Sequence, residues 1–141
     1  MNEDARAAEL MGKMLRKKLY VLIWKPLLPP DKLRPLLATH LDYMIGLEKR
    51  GVLFASGPLT EADGAPSGHG LTILLVKDAA AARRIAEAEP FVAQGLRAFE
   101  LKEWMVMEGT LGVRINLSDK MWKWRSEVLL QPASASSLRG A

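Results

Sequence analysis

Between Leu19 and Met107, short apolar blocks of strand length alternate with stretches whose apolar residues recur every three to four positions, and Pro or Gly marks most junctions. Side chains repeat with period two in a strand and 3.6 in a helix, so such a rhythm commits the chain to strands alternating with helices. Leu19 to Trp24 (LYVLIW) is β-branched and aromatic and runs into the proline-rich KPLLPP, which predicts a first strand ending near Lys25. Asp31 follows Pro29 and Pro30 as a candidate cap, Pro35 falls early enough to be tolerated, and Gly51 supplies a stop, so a helix is predicted over 32–50. Its apolar row, Leu33, Leu36, Leu37, Leu41, Met44 and Leu47, also contains His40 and aims that imidazole inward.

Val52 to Leu59 (VLFASGPL) predicts a second strand, and TEADGAPSGHG a long hairpin loop with its tightest point at Asp63-Gly64. Leu71 to Val76 (LTILLV) suits a central strand covered on at least one face. Asp78 caps a predicted helix over 79–88 that ends at Glu89-Pro90, and Phe91 to Gly95 leaves room for one turn. Leu96 to Met107 alternates Arg97, Phe99 and Leu101 with Ala98, Glu100 and Lys102, the pattern of a half-exposed fourth strand. The order β-α-β-β-α-β is the split-βαβ, ferredoxin-like arrangement: an α+β fold with an antiparallel sheet, both helices on one face, and the other face in want of cover.

At 141 residues with 49% apolar residues, one domain can bury a sufficient core without a metal or a disulfide. With no cysteine, thiolate zinc sites, iron–sulfur clusters and cysteine nucleophiles are excluded. No apolar stretch approaches the roughly 20 residues of a membrane span, and no apolar core of a secretion signal precedes the first strand, so a cytoplasmic protein is expected. The net charge of +4 divides unevenly: residues 1–19 hold five basic and three acidic groups, 20–108 ten and eleven, and 109–141 five and two. The near-neutral body argues against nucleic-acid binding, which calls for a basic stripe on the folded surface.

The ends read separately. Residues 1–17 form an N-terminal arm or frayed helix, interrupted by Gly12; 18–108 form the domain. Residues 109–130 form an extension in which Thr110 to Leu117 predicts a further strand and Met121, Trp122 and Trp124 add apolar bulk that would pack on the domain or on a partner. Residues 131–141 (QPASASSLRGA) are too small and polar to pack, and a flexible tail is expected there.

His40 is the leading candidate for chemistry, as an acid/base near neutral pH or as a core histidine satisfied by a neighbour. Glu89 at the helix exit is available as its carboxylate partner or as a solvated helix-end charge; spacing alone admits both readings. Ser56, before Gly57 and Pro58, offers a hydroxyl to a substrate oxygen or simply forms a turn. Trp24 and Tyr43, the latter one helical step from His40, are an aromatic wall for a planar ligand or core residues. His69 in SGHG lacks companions for a metal site and reads as solvated, and Gly64, Gly68 and Gly70 precede no helix, so no phosphate loop is formed.

The ordered set of HLDYMIGLEKRG, LFASGPL, a DG turn, GLTILLV and AEPFVAQGL, over about residues 18–108, resembles the YciI-like (YCII-related) proteins. The resemblance implies a ferredoxin-like domain that dimerises sheet to sheet into an αβ barrel, with a helix-borne His beside the carboxylate of a DP[FY] motif. That implies His40 and Glu89 as the catalytic pair, with Glu89 standing where the family usually has Asp and reaching one methylene further. The family includes a dehydrochlorinase acting on a chlorinated hydroxyhydroquinone, and the wider fold group includes muconolactone isomerase and small monooxygenases. The expectation is therefore a small homodimeric enzyme of lyase, dehydrochlorinase or isomerase type, needing no cofactor or metal, with His40 as acid or base and a small aromatic or lactone substrate lined by Ser56, Gly57, Pro58, Tyr43 and Trp24. The alternatives are a non-catalytic dimeric small-molecule-binding or regulatory module, and a haem-assisted monooxygenase-like protein with His40 as a haem ligand.

Overall fold

A computed structural model describes residues 2–116 and 121–124. The chain divides into two compact units, Met1–Met107 and Glu108–Ala141. The first opens with helix α1 (Glu3–Gly12), capped by Asn2, whose side chain accepts from the Ala5 amide at 2.8 Å. None of its residues is buried.

Strands β1 (Lys17–Pro26), β2 (Leu53–Thr60), β3 (Pro66–Leu74) and β4 (Arg97–Val106) form one antiparallel sheet in the order β2-β3-β1-β4. The chain order and the antiparallel sheet are those expected of the ferredoxin-like fold, and within the sheet the apolar β1 and β3 are central. Pro58 cannot donate to a ladder and lies in the edge strand β2, where that matters least. Helix α4 (Ala79–Ala88) begins at the predicted cap, Asp78 accepting from the Ala81 amide at 2.8 Å.

Two expectations need correcting. The helix predicted over 32–50 is divided into α2 (Pro30–Leu33), a 3₁₀ turn (Arg34–Leu36) and α3 (Leu37–Lys49). Pro35 has no amide proton and its ring crowds the preceding turn, so the backbone tightens there instead of running through. Asp31 falls inside the first turn of α2, whose N-cap position is Pro29 with no side-chain cap bond. The loop predicted over 60–70 is also shorter: it spans only 61–65, and β3 starts at Pro66. Gly68, at φ +80°, and Gly70 belong to the strand, because Pro26 and Trp24 pack where their Cβ atoms would stand.

Alternation along the strands divides the sheet into two faces. Tyr20, Leu22, Trp24, Thr72 and Leu74 point to the face on which Ala82 and Ala86 of α4 pack, and Phe99 and Leu101 join that core. Helix α3 contributes Met44 and Leu47 and is tied to α4 by Tyr43, whose hydroxyl donates to the Ile85 carbonyl at 2.8 Å. Leu22, Leu47 and Leu74 are fully buried, each stabilising the fold by about 1.5–3 kcal/mol. The opposite face presents Val21, Ile23 and Ile73 half-buried and Leu75 and Trp104 exposed, with Lys25 and Lys102 both paired to Glu100.

In the second unit, β5 (Val113–Asn116) pairs antiparallel with β6 (Met121–Trp124). The single strand expected over 110–117 is thus half of a hairpin, with the second strand where only apolar bulk was foreseen. The tail expected over 131–141 lies outside the described residues. Among the described residues, no helix is long and apolar enough to cross a membrane.

Candidate functional site

The site grows from one dipeptide. Pro90 disfavours a helical conformation in the residue before it, so α4 ends at Ala88 and Glu89 turns extended, at φ −62° and ψ 130°. From there Glu89 caps the short helix α5 (Pro90–Ala93), its two carboxylate oxygens accepting from the amides of Phe91 at 3.1 Å and Val92 at 3.2 Å. These bonds draw the carboxylate inward, and Glu89 is completely buried. His40, on the inward row of α3, meets it there, Nδ1 lying 2.6 Å from Oε1. Phe91 stacks against the imidazole, with centroids 4.6 Å apart and planes at 20°.

Burial pushes the Glu89 carboxyl up, but the hydrogen bond and charge of His40 and the two backbone amides outweigh it and hold the group below its ordinary range. An ionised carboxylate only accepts, so the proton between the two residues belongs to His40 Nδ1. Nε2 is then the nitrogen left to take or give a proton, on an imidazole whose side chain is 14% exposed.

A second polar chain runs across the sheet. Trp24 Nε1 donates to Thr72 Oγ1 at 2.7 Å, and Thr72 Oγ1 lies 2.7 Å from Ser56 Oγ. Arg97, at the start of β4, links the two groups: its guanidinium stands 5.0 Å from the ring centre of Phe91 and 5.4 Å from that of Trp24. Burial pulls its affinity for the proton down while the charge of Glu89 raises it. The same carboxylate therefore acts on both the imidazole and the guanidinium.

A family model described as the YCII-related domain matches residues 17–105, well over half of the chain. The chain belongs to the YCII-related family. Among solved structures, the 5-chloro-2-hydroxyhydroquinone dehydrochlorinase from Burkholderia phenoliruptrix, in complex with 2,5-dihydroxybenzoquinone, is similar with 22% identity and a TM-score of 0.51. The match covers 60% of this chain and 92% of that one, and it supports the ferredoxin-like fold. No curated protein matches the chain.

In this YCII-related domain the expected site residues fall into distinct environments. His40 and Glu89 meet directly, the longer glutamate arm notwithstanding. Trp24 is a core residue, 3% exposed, and Tyr43 is half-buried and anchored to α4, so both are held in place by packing. Ser56 is the one member of Ser56, Gly57 and Pro58 with a side-chain hydrogen bond, and all three lie on the exposed edge strand β2. His69 is exposed, as expected. Among the described residues, no three His, Asp or Glu side chains gather as a cation site requires.

Arg97 is the residue that the sequence reading passed over. The composition of its strand predicts an ordinary half-exposed edge for it, yet it alternates in step with Phe99 and Leu101, which face the core. A cation in register with an apolar face was the available signal.

Proposed function

We propose that this YCII-related protein is a small acid–base enzyme of lyase or isomerase type, in which His40 moves the proton and Glu89 orients it. The observation that carries the reading is the 2.6 Å contact between His40 Nδ1 and the fully buried Glu89 carboxylate. A histidine whose Nδ1 proton is given to a buried carboxylate has its ring orientation and tautomer fixed, which is what a general base requires before its substrate arrives. Nε2 takes the proton from an acidic O–H or C–H of a small phenolic or lactone substrate. In an elimination from a chlorinated ring the imidazolium first returns that proton to the carbon that bears chlorine, and removal of a second O–H proton then sends its electron pair through the ring as chloride departs with the C–Cl pair, leaving a quinone; in an isomerisation the freed pair relocates a double bond. In the latter case the imidazolium returns its proton to a new position.

The dehydrochlorinase likeness supports a hydroxylated, chlorinated aromatic ring as the first substrate to try. The apolar face that carries Ile73, Leu75 and Trp104 supports a homodimer formed sheet to sheet. With 5-chloro-2-hydroxyhydroquinone, wild-type protein is expected to release chloride, and His40→Ala, assayed below a melting temperature lowered by the loss of the partner of buried Glu89, to reduce the rate by about 10²–10⁴-fold. Equal rates from folded His40→Ala and wild type would refute the role of His40. Ligand-induced stabilisation without any chemical change would instead favour the non-catalytic binding module.

A further inference from the structure

The geometry points to Arg97 as the anion-recognition residue of this site: the ligand that reaches His40 carries a negatively charged planar oxygen group, a phenolate, enolate or carboxylate, and the guanidinium holds it. The inference rests on the acid–base reading for the identity of the site, but its own evidence is separate. Arg97 Nε is buried without a hydrogen-bond partner, which is true of no other buried side-chain nitrogen or oxygen among the described residues.

Its natural counter-charge is already engaged. Glu89 Oε1 accepts from His40 and from the Phe91 amide, and Oε2 accepts from the Val92 amide. Among the described residues, no carboxylate comes within 4.0 Å of the guanidinium to make an ion pair. What positions Arg97 is contact with the rings of Phe91 and Trp24, and an aromatic contact of this kind does not use up the in-plane N–H groups. A guanidinium so placed is a rigid fork of donors for two oxygens of one planar anion, and on this half-buried side chain the enclosed Nε–H is costly to leave without an acceptor.

The position fits the chemistry proposed next door. Phe91 touches both Arg97 and His40, so the anion site and the proton-transfer site share a wall. A phenol or enol bound there is held in its ionised form, the form whose electron pair is ready to enter the ring.

The test compares binding of 2,5-dihydroxybenzoquinone, a dianion at neutral pH, with that of its neutral dimethyl ether, by calorimetry on wild type, Arg97→Gln, Arg97→Met and Arg97→Lys. Wild type is expected to prefer the dianion by about tenfold or more, the scale of a charge-assisted hydrogen bond. Arg97→Gln and Arg97→Met remove that preference, Met keeping the stem over the rings should Gln disturb folding. Arg97→Lys retains part of it. A folded Arg97→Gln or Arg97→Met that still prefers the dianion overturns the inference, as does a wild type that binds both compounds alike or neither at millimolar concentration. Chloride release from the chlorinated substrate separates the two readings: an Arg97-dependent preference alongside unimpaired turnover by His40→Ala would refute the acid–base role and leave the anion site standing.

Discussion

Glu89 carries several functions at once, and its pH dependence exposes them. Its folded-state carboxyl sits below the ordinary range, so the stability that it contributes is fully present above the unfolded value of about 4.3 and is lost as the pH falls through the folded one. Glu89→Gln is therefore expected to cost about 1–3 kcal/mol at pH 7, read from urea midpoints, and the gap from wild type should narrow as the pH falls below the ordinary carboxyl range. A constant gap over that fall in pH would mean that the carboxylate charge contributes nothing. The inward aim of His40 was legible because a helical period of 3.6 places it beside Met44 and Leu47. The burial of Glu89 was not, because it depends on Pro90 turning the backbone and on two amides that spacing does not reveal. Arg97 escaped notice for a related reason: charge suggests solvent, and only its register against Phe99 and Leu101 says otherwise.

At the scale of elements, the strand and helix order was readable from periodicity, whereas boundaries failed where proline and glycine answer to tertiary contacts. In the Pro66–Leu74 strand, SGHG has the composition of a loop, but its glycines are required by neighbours across the sheet. A Cβ on Gly68 would stand 3.0 Å from Pro26 Cβ and Cγ, at a backbone φ of +80°. Gly68→Ala should accordingly destabilise the protein by about 1–3 kcal/mol, lowering the thermal midpoint by several degrees. An unchanged midpoint would place those glycines back in a tolerant loop. The division of the helix at Pro35 has the opposite character, since the signal was present and its consequence underestimated. A proline at the fourth helical position removes a donor and shapes the turn before α3 starts.

For the molecule as a whole, the sheet has one face filled by helices and one that presents Ile73, Leu75 and Trp104. The proposed homodimer would bury these residues between two sheets. Sedimentation equilibrium at micromolar concentration should give roughly twice the 15.6 kDa chain mass, and Leu75→Glu with Trp104→Glu should return it to one chain. A wild-type mass of one chain would refute the pairing. The fold class follows from the sequence because it needs only the order of periods, but the assembly rests on which residues share a sheet face, and that is fixed by register.

The central claim, an imidazole oriented by a buried carboxylate for proton transfer, is tested most directly by proton–nitrogen NMR of His40 at neutral pH, with and without 2,5-dihydroxybenzoquinone. A strongly downfield proton on Nδ1, in hydrogen bond to Glu89, is expected, together with an Nε2 resonance that moves when the ligand binds. A proton resident on Nε2 with a bare Nδ1, or an imidazole spectrum indifferent to the bound ligand, would contradict that claim.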